Sequence, residues 1–413
     1  MTETRNDAIA AAHRAAQALL PKLKAQAAET DNSARFPVEA VKQLRTNGLM
    51  GLLVPQKYGG SGGDLGDLVA LASLLASGCM STAMIWAMHC QQVDCIVRFG
   101  SAQLLDDLLP RIASGEIYLA SVTTEPGKGG HLLSGRAAIE QDGNALRFER
   151  ETPILTGGAH ADGFLVTMRE SPDAADHRVT LVYADRNQLT LEPFGSWDTL
   201  GMRGTESLGM RLSGAVPTYH VIGEAGDFKT VAVESMIPAG HLAWSSVWLG
   251  AARGTLSSVL AMVRSRGADR QADLTAERIA RARIDIELVA AYLGVVRDEV
   301  LTRRNGNDSL SGIATQVHLN NLKVIASELT FRAVDRLLQV AGLFTGYKRD
   351  SSVPLERNFR DLRSASLNYS NDRLLTMNGS LTLLDRDVTL LPEGITAGEN
   401  SYRRGGPTSE VDA

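Results

Sequence analysis

The stretch RDLRSASLNYSND, residues 360–372, concentrates polar side chains that could do chemistry near the C-terminus. Tyr369 is a poor general base near neutral pH, because a phenol has a pKa of about 10, but it can donate a hydrogen bond. Asp372 follows roughly one helical turn later and could supply a carboxylate on the same face. An aspartate there more often contacts solvent or a neighbouring helix. Asn368, which precedes Tyr369, completes the set of predicted catalytic residues.

A second candidate site is SVTTEPGKGG, residues 121–130, which follows a predicted β-strand. Its glycines allow the backbone to approach a bulky planar ligand closely. Threonine hydroxyls and backbone N–H groups can bond the polar edge of such a ligand. The competing interpretation is an ordinary β-turn between two strands.

Histidine and tryptophan residues on predicted helices are candidates for a pocket wall. His89 lies in WAMHCQQV, and a lone helical histidine is more often structural than functional. The tryptophans at positions 86, 244 and 248 have helical spacing, so most of their surface is expected in the core. We include His89, Trp86 and Trp244 as predicted substrate-pocket residues.

Composition excludes several classes of protein. The chain has 413 residues, 44% of them hydrophobic and 22% charged, with a formal net charge of −5. Lysines and arginines are scattered, whereas a nucleic-acid surface needs a basic stripe. The three cysteines have no metal-ligand spacing, and an odd number suits a reducing compartment. We see no signal peptide and no run of the roughly 20 apolar residues that a membrane span needs, so we expect a cytoplasmic protein.

Three regions of the chain differ in pattern and predict an α+β fold. Residues 1–116 carry apolar positions at helical spacing and predict an α-helical domain. Residues 117–235 contain short alternating segments without a crossover helix, which predicts an antiparallel β-barrel or sandwich. Residues 236–389 return to long amphipathic segments and predict a four-helix bundle, with the stretch around Tyr369 inside its fourth helix. Residues 390–413 predict a flexible tail.

Six short motifs follow one another along the chain: VPQKYGGSGGD (54–64), RFGSAQLLDDLLPRIASGE (98–116), TTEPGKGG (123–130), LGMRGTES (200–207), VIGEAGDF (221–228) and QVAGLFTGYKRDSSVPLERNFRDLR (339–363). Each motif is weak alone. In this order they resemble the acyl-CoA dehydrogenase superfamily of flavoproteins, over about residues 35–385. The resemblance implies an N-terminal helical domain, a middle β-domain and a C-terminal four-helix bundle, usually assembled as a homotetramer or homodimer.

The resemblance also implies a flavin, FAD in most members, between the β-domain and the bundle. It carries cofactor contacts onto Val122, Thr124, Gly130, Thr156, Gln339, Gly342, Gly346 and Asn371. The segment around Gly342 would present its backbone to the cofactor of a neighbouring subunit. The usual contact to adenine and pyrophosphate is not recognisable in residues 263–280, which leaves FMN or loosely bound reduced flavin open. Ile154 stands where the family has an aromatic residue that packs against the flavin.

The chain differs from the family pattern most importantly at the position of the catalytic base. A dehydrogenase of this family removes a proton α to a thioester while hydride leaves for the flavin, and this needs a carboxylate. The family's glutamate positions fall on Tyr369 and, in some branches, on Gly240. The first interpretation is a dehydrogenase with an altered base, for which Asp372 is a candidate. A monooxygenase that uses reduced flavin and O2 is the alternative, an oxidase-like or redox-neutral flavin reaction is another, and a non-catalytic flavin-binding or interaction protein is a further one.

Partners follow from the same resemblance. The substrate is expected to be a small acyl-type molecule, free or carried on CoA or a carrier protein. The expected redox partner is an electron-transfer flavoprotein for a dehydrogenase, or a flavin reductase for a monooxygenase.

Overall fold

The computed structural model describes residues 4–127, 131–265, 273–386 and 388–391. Its N-terminal helices are α1 (Arg5–Ser33), α2 (Val38–Thr46), α3 (Leu65–Ala76), α4 (Met80–Phe99) and α5 (Ala102–Ala113). Helices α1 and α3 begin with capping boxes on Thr4 and Asp64, whose side chains accept backbone N–H groups that the first turn leaves unpaired. Helix α4 is buried along most of its length and forms the centre of this part.

The strands form two four-stranded sheets with the orders β1-β4-β5-β8 and β2-β3-β7-β6. They are β1 (Leu119–Val122), β2 (Glu140–Asp142), β3 (Ala145–Thr152), β4 (Gly163–Arg169), β5 (Val179–Asp185), β6 (Leu189–Phe194), β7 (Gly209–Pro217) and β8 (Val221–Ile222). The pairs are antiparallel except β1 with β4, which is parallel. The chain leaves β1 to build β2 and β3 of the other sheet before it returns to β4, so this pair is not a hairpin.

Long helices return after the strands. They are α6 (Phe228–Val231), α7 (Ile237–Ser265), α8 (Asp273–Asn305), α9 (Ile313–Gly342), α10 (Leu355–Arg363) and α11 (Asn371–Leu384), with π-helical segments at Ala232–Met236 and Leu343–Tyr347. The stretch Phe228–Ser265 is long and apolar enough to cross a membrane by length and composition alone, but 56% of its apolar window is buried inside the protein. Its apolar character is that of a core helix, since α7 packs against both α3 and α9.

The predicted fold class is confirmed: helices flank a middle β-domain. The domain boundaries proposed at residues 116, 235 and 389 stay predictions, and the proposed tail lies almost wholly outside the described residues.

The fourth helix of the predicted bundle is not continuous. Helix α10 ends at Arg363, a turn follows, and α11 begins at Asn371. Tyr369 lies in this turn with φ of +52°, a left-handed backbone conformation that costs a non-glycine residue energy. The apolar periodicity continues through the break, which is why the pattern alone predicted one helix.

A buried arginine joins the three parts of the chain. Arg360 donates from Nη1 to Asp31 of α1 at 3.0 Å and to the Leu200 carbonyl of the β-domain at 2.9 Å, and it also pairs with Glu356 within α10. The adjacent Asp361 accepts the backbone N–H of Met202 at 2.6 Å. We call this group the Arg360 clamp. Removing one partner from a buried pair of this kind typically costs about 3–5 kcal/mol.

The clamp requires a glycine at position 201. A Cβ atom there would lie 2.1 Å from the carbonyl oxygen of Arg360, which is fixed helix backbone. We expect Gly201→Ala to lower the free energy of unfolding by about 1–3 kcal/mol or more, as overpacking does. Urea denaturation measures this change.

Gly294→Ala in α8 is the matched control, since its Cβ would meet no atom within 4 Å. It should change stability by less than about 1 kcal/mol, in the stabilising direction that helix propensity gives. Equal stability of the two variants would show that the junction between α10 and the β-domain adapts without cost.

Candidate active site

A cavity of about 670 Å³ lies where the β-domain, α4, α7 and the α10–α11 turn meet. Ligand pockets usually measure about 300–1,000 Å³. Met88 and Ile237 give it apolar surface, while hydroxyl, amide, imidazole and carboxylate groups interrupt that surface. A mixed lining suits a planar ligand that has a polar edge.

The β-domain wall follows from strand alternation. Ser121 and Thr123 line the cavity, whereas Val122 between them is fully buried on the opposite side. Thr124 also lines the cavity, and its hydroxyl donates to the Ile154 carbonyl at 3.0 Å. The side chain of Ile154 is 49% exposed, so the position of the expected aromatic residue presents an aliphatic surface to the cavity.

A buried ion pair supports this wall from behind. Arg150 pairs with Glu125 at 2.5 Å and donates from Nη2 to the Thr124 carbonyl at 2.8 Å. Burial would raise the pKa of Glu125, but backbone N–H groups of Ala137 and Arg136 and the Arg150 charge together lower it. The turn after β1 is therefore held by a carboxylate that stays ionised.

The α10–α11 turn forms the opposite wall. Asn368, Tyr369 and Asp372 all line the cavity. The prediction that Tyr369 and Asp372 share a helical face was wrong, because α11 begins only at Asn371. Burial raises the pKa of Tyr369, so its hydroxyl stays protonated and can donate a hydrogen bond. Asp372 is exposed, and its carboxylate lies at the edge of the cavity.

A buried lysine anchors this turn. Lys323 of α9 is fully buried and donates from Nζ to Asn371 Oδ1 at 2.7 Å. The amide of Asn371 in turn donates to Ser327 at 3.0 Å and to Glu328 at 3.1 Å. Burial lowers the pKa of Lys323 to about 7. Asn371 therefore holds the first turn of α11 against α9, behind the cavity wall.

His241 is the buried titratable group on the cavity. Its Nδ1 lies 3.1 Å from the Leu319 carbonyl, so the neutral ring carries its proton there and leaves Nε2 as an acceptor. Burial lowers the pKa of His241 to about 3, with a further contribution from the charge of Lys323. The ring centre is 6.0 Å from that of Tyr369 and 5.9 Å from that of Trp244. The site thus holds a neutral imidazole at physiological pH.

The second possible glutamate position also has no carboxylate. A Cβ atom on Gly240 would lie 2.3 Å from Nε2 of Gln91 and 3.4 Å from the Trp244 ring. The amide of Gln91 donates to the Met236 carbonyl at 2.7 Å. Gln91 therefore occupies the room that a side chain at position 240 would need.

Family models match both helical parts of the chain. Residues 3–116 match the N-terminal domain of acyl-CoA dehydrogenase, and residues 242–370 match the C-terminal domain. The chain belongs to the acyl-CoA dehydrogenase superfamily. This confirms the resemblance inferred from the six motifs.

Three relatives illustrate the range of the superfamily. An acyl-CoA dehydrogenase of Bacillus subtilis (strain 168) is 25% identical over 342 residues, 79% of this chain and 85% of that protein. Butyryl-CoA dehydrogenase from Megasphaera elsdenii matches with a TM-score of 0.79 at 20% identity, covering 93% of this chain and 99% of its own. Dibenzothiophene monooxygenase from Paenibacillus sp. A11-2 matches with a TM-score of 0.78 at 19% identity, covering 91% of this chain and 97% of its own. The fold therefore does not select between the two reactions.

Superfamily membership agrees with the predicted enzyme class, an oxidoreductase, and with the predicted flavin cofactor. The cavity fits such a ligand. Within the described parts of the chain, the partly buried hydroxyls of Ser121 and Thr123 on its β-domain wall have no hydrogen-bond partner. Buried polar groups without partners usually mark a site for water or a ligand.

Two residues predicted for the substrate pocket lie in the core of this superfamily member instead. His89 is fully buried; it accepts the Leu119 N–H at 3.1 Å and contacts the Met50 carbonyl at 3.0 Å. Trp86 donates to the Leu49 carbonyl at 2.9 Å. On α4, Met88 and Gln91 face the cavity, whereas Trp86 and His89 face the core. His89 thus connects α4 to β1, a structural role.

The predicted cofactor contacts divide into three groups. Thr124 and Thr156 line the cavity, while Val122 and Asn371 lie behind its walls. Gly130 lies outside the described residues. The third group lies away from the cavity, at the end of α9 and just after it: Gln339, Gly342 and Gly346. The cofactor roles proposed for all these residues stay predictions.

Pattern analysis missed Gln91, Arg373 and Lys323. Lys323 carried a usable signal, since it interrupts the apolar stripe of a helix at a position flanked by Leu319 and Ala326. Gln91 and Arg373 gave no signal in a single sequence, because polar residues at helical positions are most often solvated.

The buried lysine predicts a pH dependence of stability. Between pH 7 and 10.5 the unfolded chain keeps the Lys323 proton that the folded chain releases, so stability rises with pH across this window. The contribution to the slope is at most about 1.4 kcal/mol per pH unit. We expect Lys323→Met to lose this contribution in urea titrations from pH 7 to 9.5.

Lys42→Met, on the exposed side of α2, is the control and should leave the slope unchanged. A Lys323→Met slope equal to that of the parent protein would mean that Lys323 stays charged in the folded state.

Proposed function

We propose that this protein is a flavin-dependent monooxygenase of the acyl-CoA dehydrogenase superfamily that acts on a small substrate with a hydroxyl or amino group. One observation carries the proposal: the buried part of the cavity holds the neutral imidazole of His241 and no carboxylate. Among the described lining residues, the one acidic side chain is the exposed Asp372.

The basicity of His241 argues against carbon-acid chemistry. Removal of a proton from carbon needs a strong, positioned base, and a group whose pKa is about 3 is a weak one. The same imidazole accepts a hydrogen bond well through Nε2. It can therefore orient an O–H or N–H group of a substrate, while the Tyr369 hydroxyl donates from the adjacent wall.

The flavin would supply two electrons to O2, with one oxygen atom entering the substrate and the other leaving as water. Ser121, Thr123, Thr124 and Thr156 are the residues we assign to hold it, since their side chains line the β-domain wall of the cavity. Both FAD and FMN remain in the proposal. A flavin reductase is the redox partner it requires, and a monooxygenase among the structural neighbours shares the fold.

Dehydrogenation of an acyl thioester is the second candidate, with Asp372 as the base and an electron-transfer flavoprotein as the acceptor. It is supported by the position of Asp372 on the cavity wall beside Tyr369 and by the dehydrogenase relatives. Because Asp372 is exposed, water would surround the carboxylate and weaken its effect on a bound carbon acid.

We also propose a cytoplasmic homotetramer or homodimer. Leu343, Phe344 and Tyr347 are 66%, 80% and 66% exposed and lie beside the predicted contact to a neighbouring subunit's cofactor. Large apolar side chains grouped in this way commonly form interfaces.

One variant of His241 and one of Asp372 separate the candidates. His241→Asn can keep the link to the Leu319 carbonyl but loses the acceptor at Nε2, so hydroxylation of a phenol and aniline panel should fall about tenfold to hundredfold. Asp372→Asn should change it less than about threefold. The assay supplies NADH, a flavin reductase and ¹⁸O2, and mass spectrometry follows label in the product.

A large effect of Asp372→Asn together with a small effect of His241→Asn would favour the dehydrogenase. In that case an anaerobic acyl-CoA panel bleaches the bound flavin, Asp372→Asn abolishes the bleaching, and no ¹⁸O enters any product. A purified protein that takes up neither FAD nor FMN would leave a non-catalytic interaction protein.

A further inference from the structure

The inner end of the cavity carries hydrogen-bond donors that the chain itself does not use. Trp244 lines the cavity, and its Nε1 is buried without a partner in the described part of the chain. Gln91 uses one amide hydrogen on the Met236 carbonyl, which leaves the second. An unsatisfied buried donor costs about 1–3 kcal/mol, so its persistence in a cavity points to a ligand atom that accepts from it.

The two donor groups lie close together. The Cβ position of Gly240 lies 2.3 Å from Gln91 Nε2 and 3.4 Å from Cζ2 of the Trp244 ring, the carbon next to the one that bears Nε1. The absence of a side chain at position 240 lets the Gln91 amide lie beside the Trp244 indole. Both groups present N–H hydrogens, so the corner matches an acceptor oxygen and not a donor.

We infer that Trp244 and Gln91, beside Gly240, form a subsite for a hydrogen-bond acceptor on the substrate, such as a carbonyl, carboxylate or sulfoxide oxygen. The inference rests on the proposed function only in taking the cavity as the substrate site. Substrates that place an acceptor here bind more tightly than isosteres with a methylene in its place. The subsite thus selects oxygen-bearing ring or acyl groups over plain hydrocarbon.

His241 and the Trp244–Gln91 corner bind different groups of a substrate. His241 offers an acceptor at Nε2, whereas Trp244 and Gln91 offer donors, so the two ends of a bound molecule are distinguished by hydrogen-bond polarity. A substrate with an O–H or N–H at one end and a carbonyl at the other satisfies both. Its orientation in the cavity is then fixed without any charge.

A pair of isosteric probes tests the subsite directly. Acetophenone and α-methylstyrene differ only in C=O against C=CH2, and neither has a hydroxyl or amino group for His241. Calorimetric titration of the full-length, flavin-saturated protein should show acetophenone binding about tenfold more tightly, the effect of one buried hydrogen bond. In Trp244→Phe this preference should shrink to less than threefold, with α-methylstyrene binding unchanged.

Gly240→Ala is the second variant. It keeps the indole donor but places a methyl group against the Gln91 amide, so it should weaken acetophenone binding at least as much as Trp244→Phe. Trp197→Phe is the matched control, since Trp197 donates to the Met202 carbonyl away from the cavity. It should keep the full tenfold preference.

Three results would overturn the subsite: no preference in the parent protein, a preference that survives Trp244→Phe, or no binding of either probe at millimolar concentration. A loss of flavin affinity in Trp244→Phe, with the probe preference intact, would assign the indole N–H to the cofactor and also overturn it. Failure of the monooxygenase assay together with an intact probe preference would reject the proposed reaction and leave the subsite standing.

Discussion

The geometry of the site depends on the Arg360 clamp. One guanidinium group contacts α1, α10 and the Leu200 carbonyl of the β-domain, and its neighbour Asp361 holds the Met202 backbone. The cavity is assembled from separate parts of the chain, so its walls keep their spacing only if those parts keep theirs. A buried multivalent ion pair suits this task because its hydrogen bonds are directional and losing one partner is costly. The turn that carries Tyr369 begins directly after α10, so the clamp also fixes where this turn starts.

The α10–α11 turn shows how backbone strain and polar burial support each other. Tyr369 adopts a left-handed conformation, and the buried amide of Asn371 two residues later is held by Lys323 and Ser327. Strained residues persist where the surroundings determine them more than their own preference does. Burial lowers the pKa of His241, and the charge of the anchoring Lys323 lowers it further, so this lysine influences both the shape of the site and its proton chemistry.

The β-domain wall and the opposite wall contribute different groups to the cavity. The β-domain wall presents threonines, and the buried Glu125–Arg150 pair supports this wall from behind. The opposite wall presents Tyr369 and His241, and Gln91 fills the space beside Gly240. A buried lining without a carboxylate among the described residues suits the proposed chemistry on substrates with polar groups.

The sequence by itself determined the family, the order of helical and β parts and the positions of Thr124, Thr156 and Tyr369 along the chain. Local periodicity and short motifs suffice for these, because they depend on neighbours a few residues apart. Only the tertiary structure decided which face of α4 reaches the cavity, so His89 became a core residue and Gln91 a lining one. It also showed that the fourth helix is interrupted and that Lys323 donates to Asn371 behind the interruption, because contacts between α9 and α11 are long-range and cannot be identified from local periodicity.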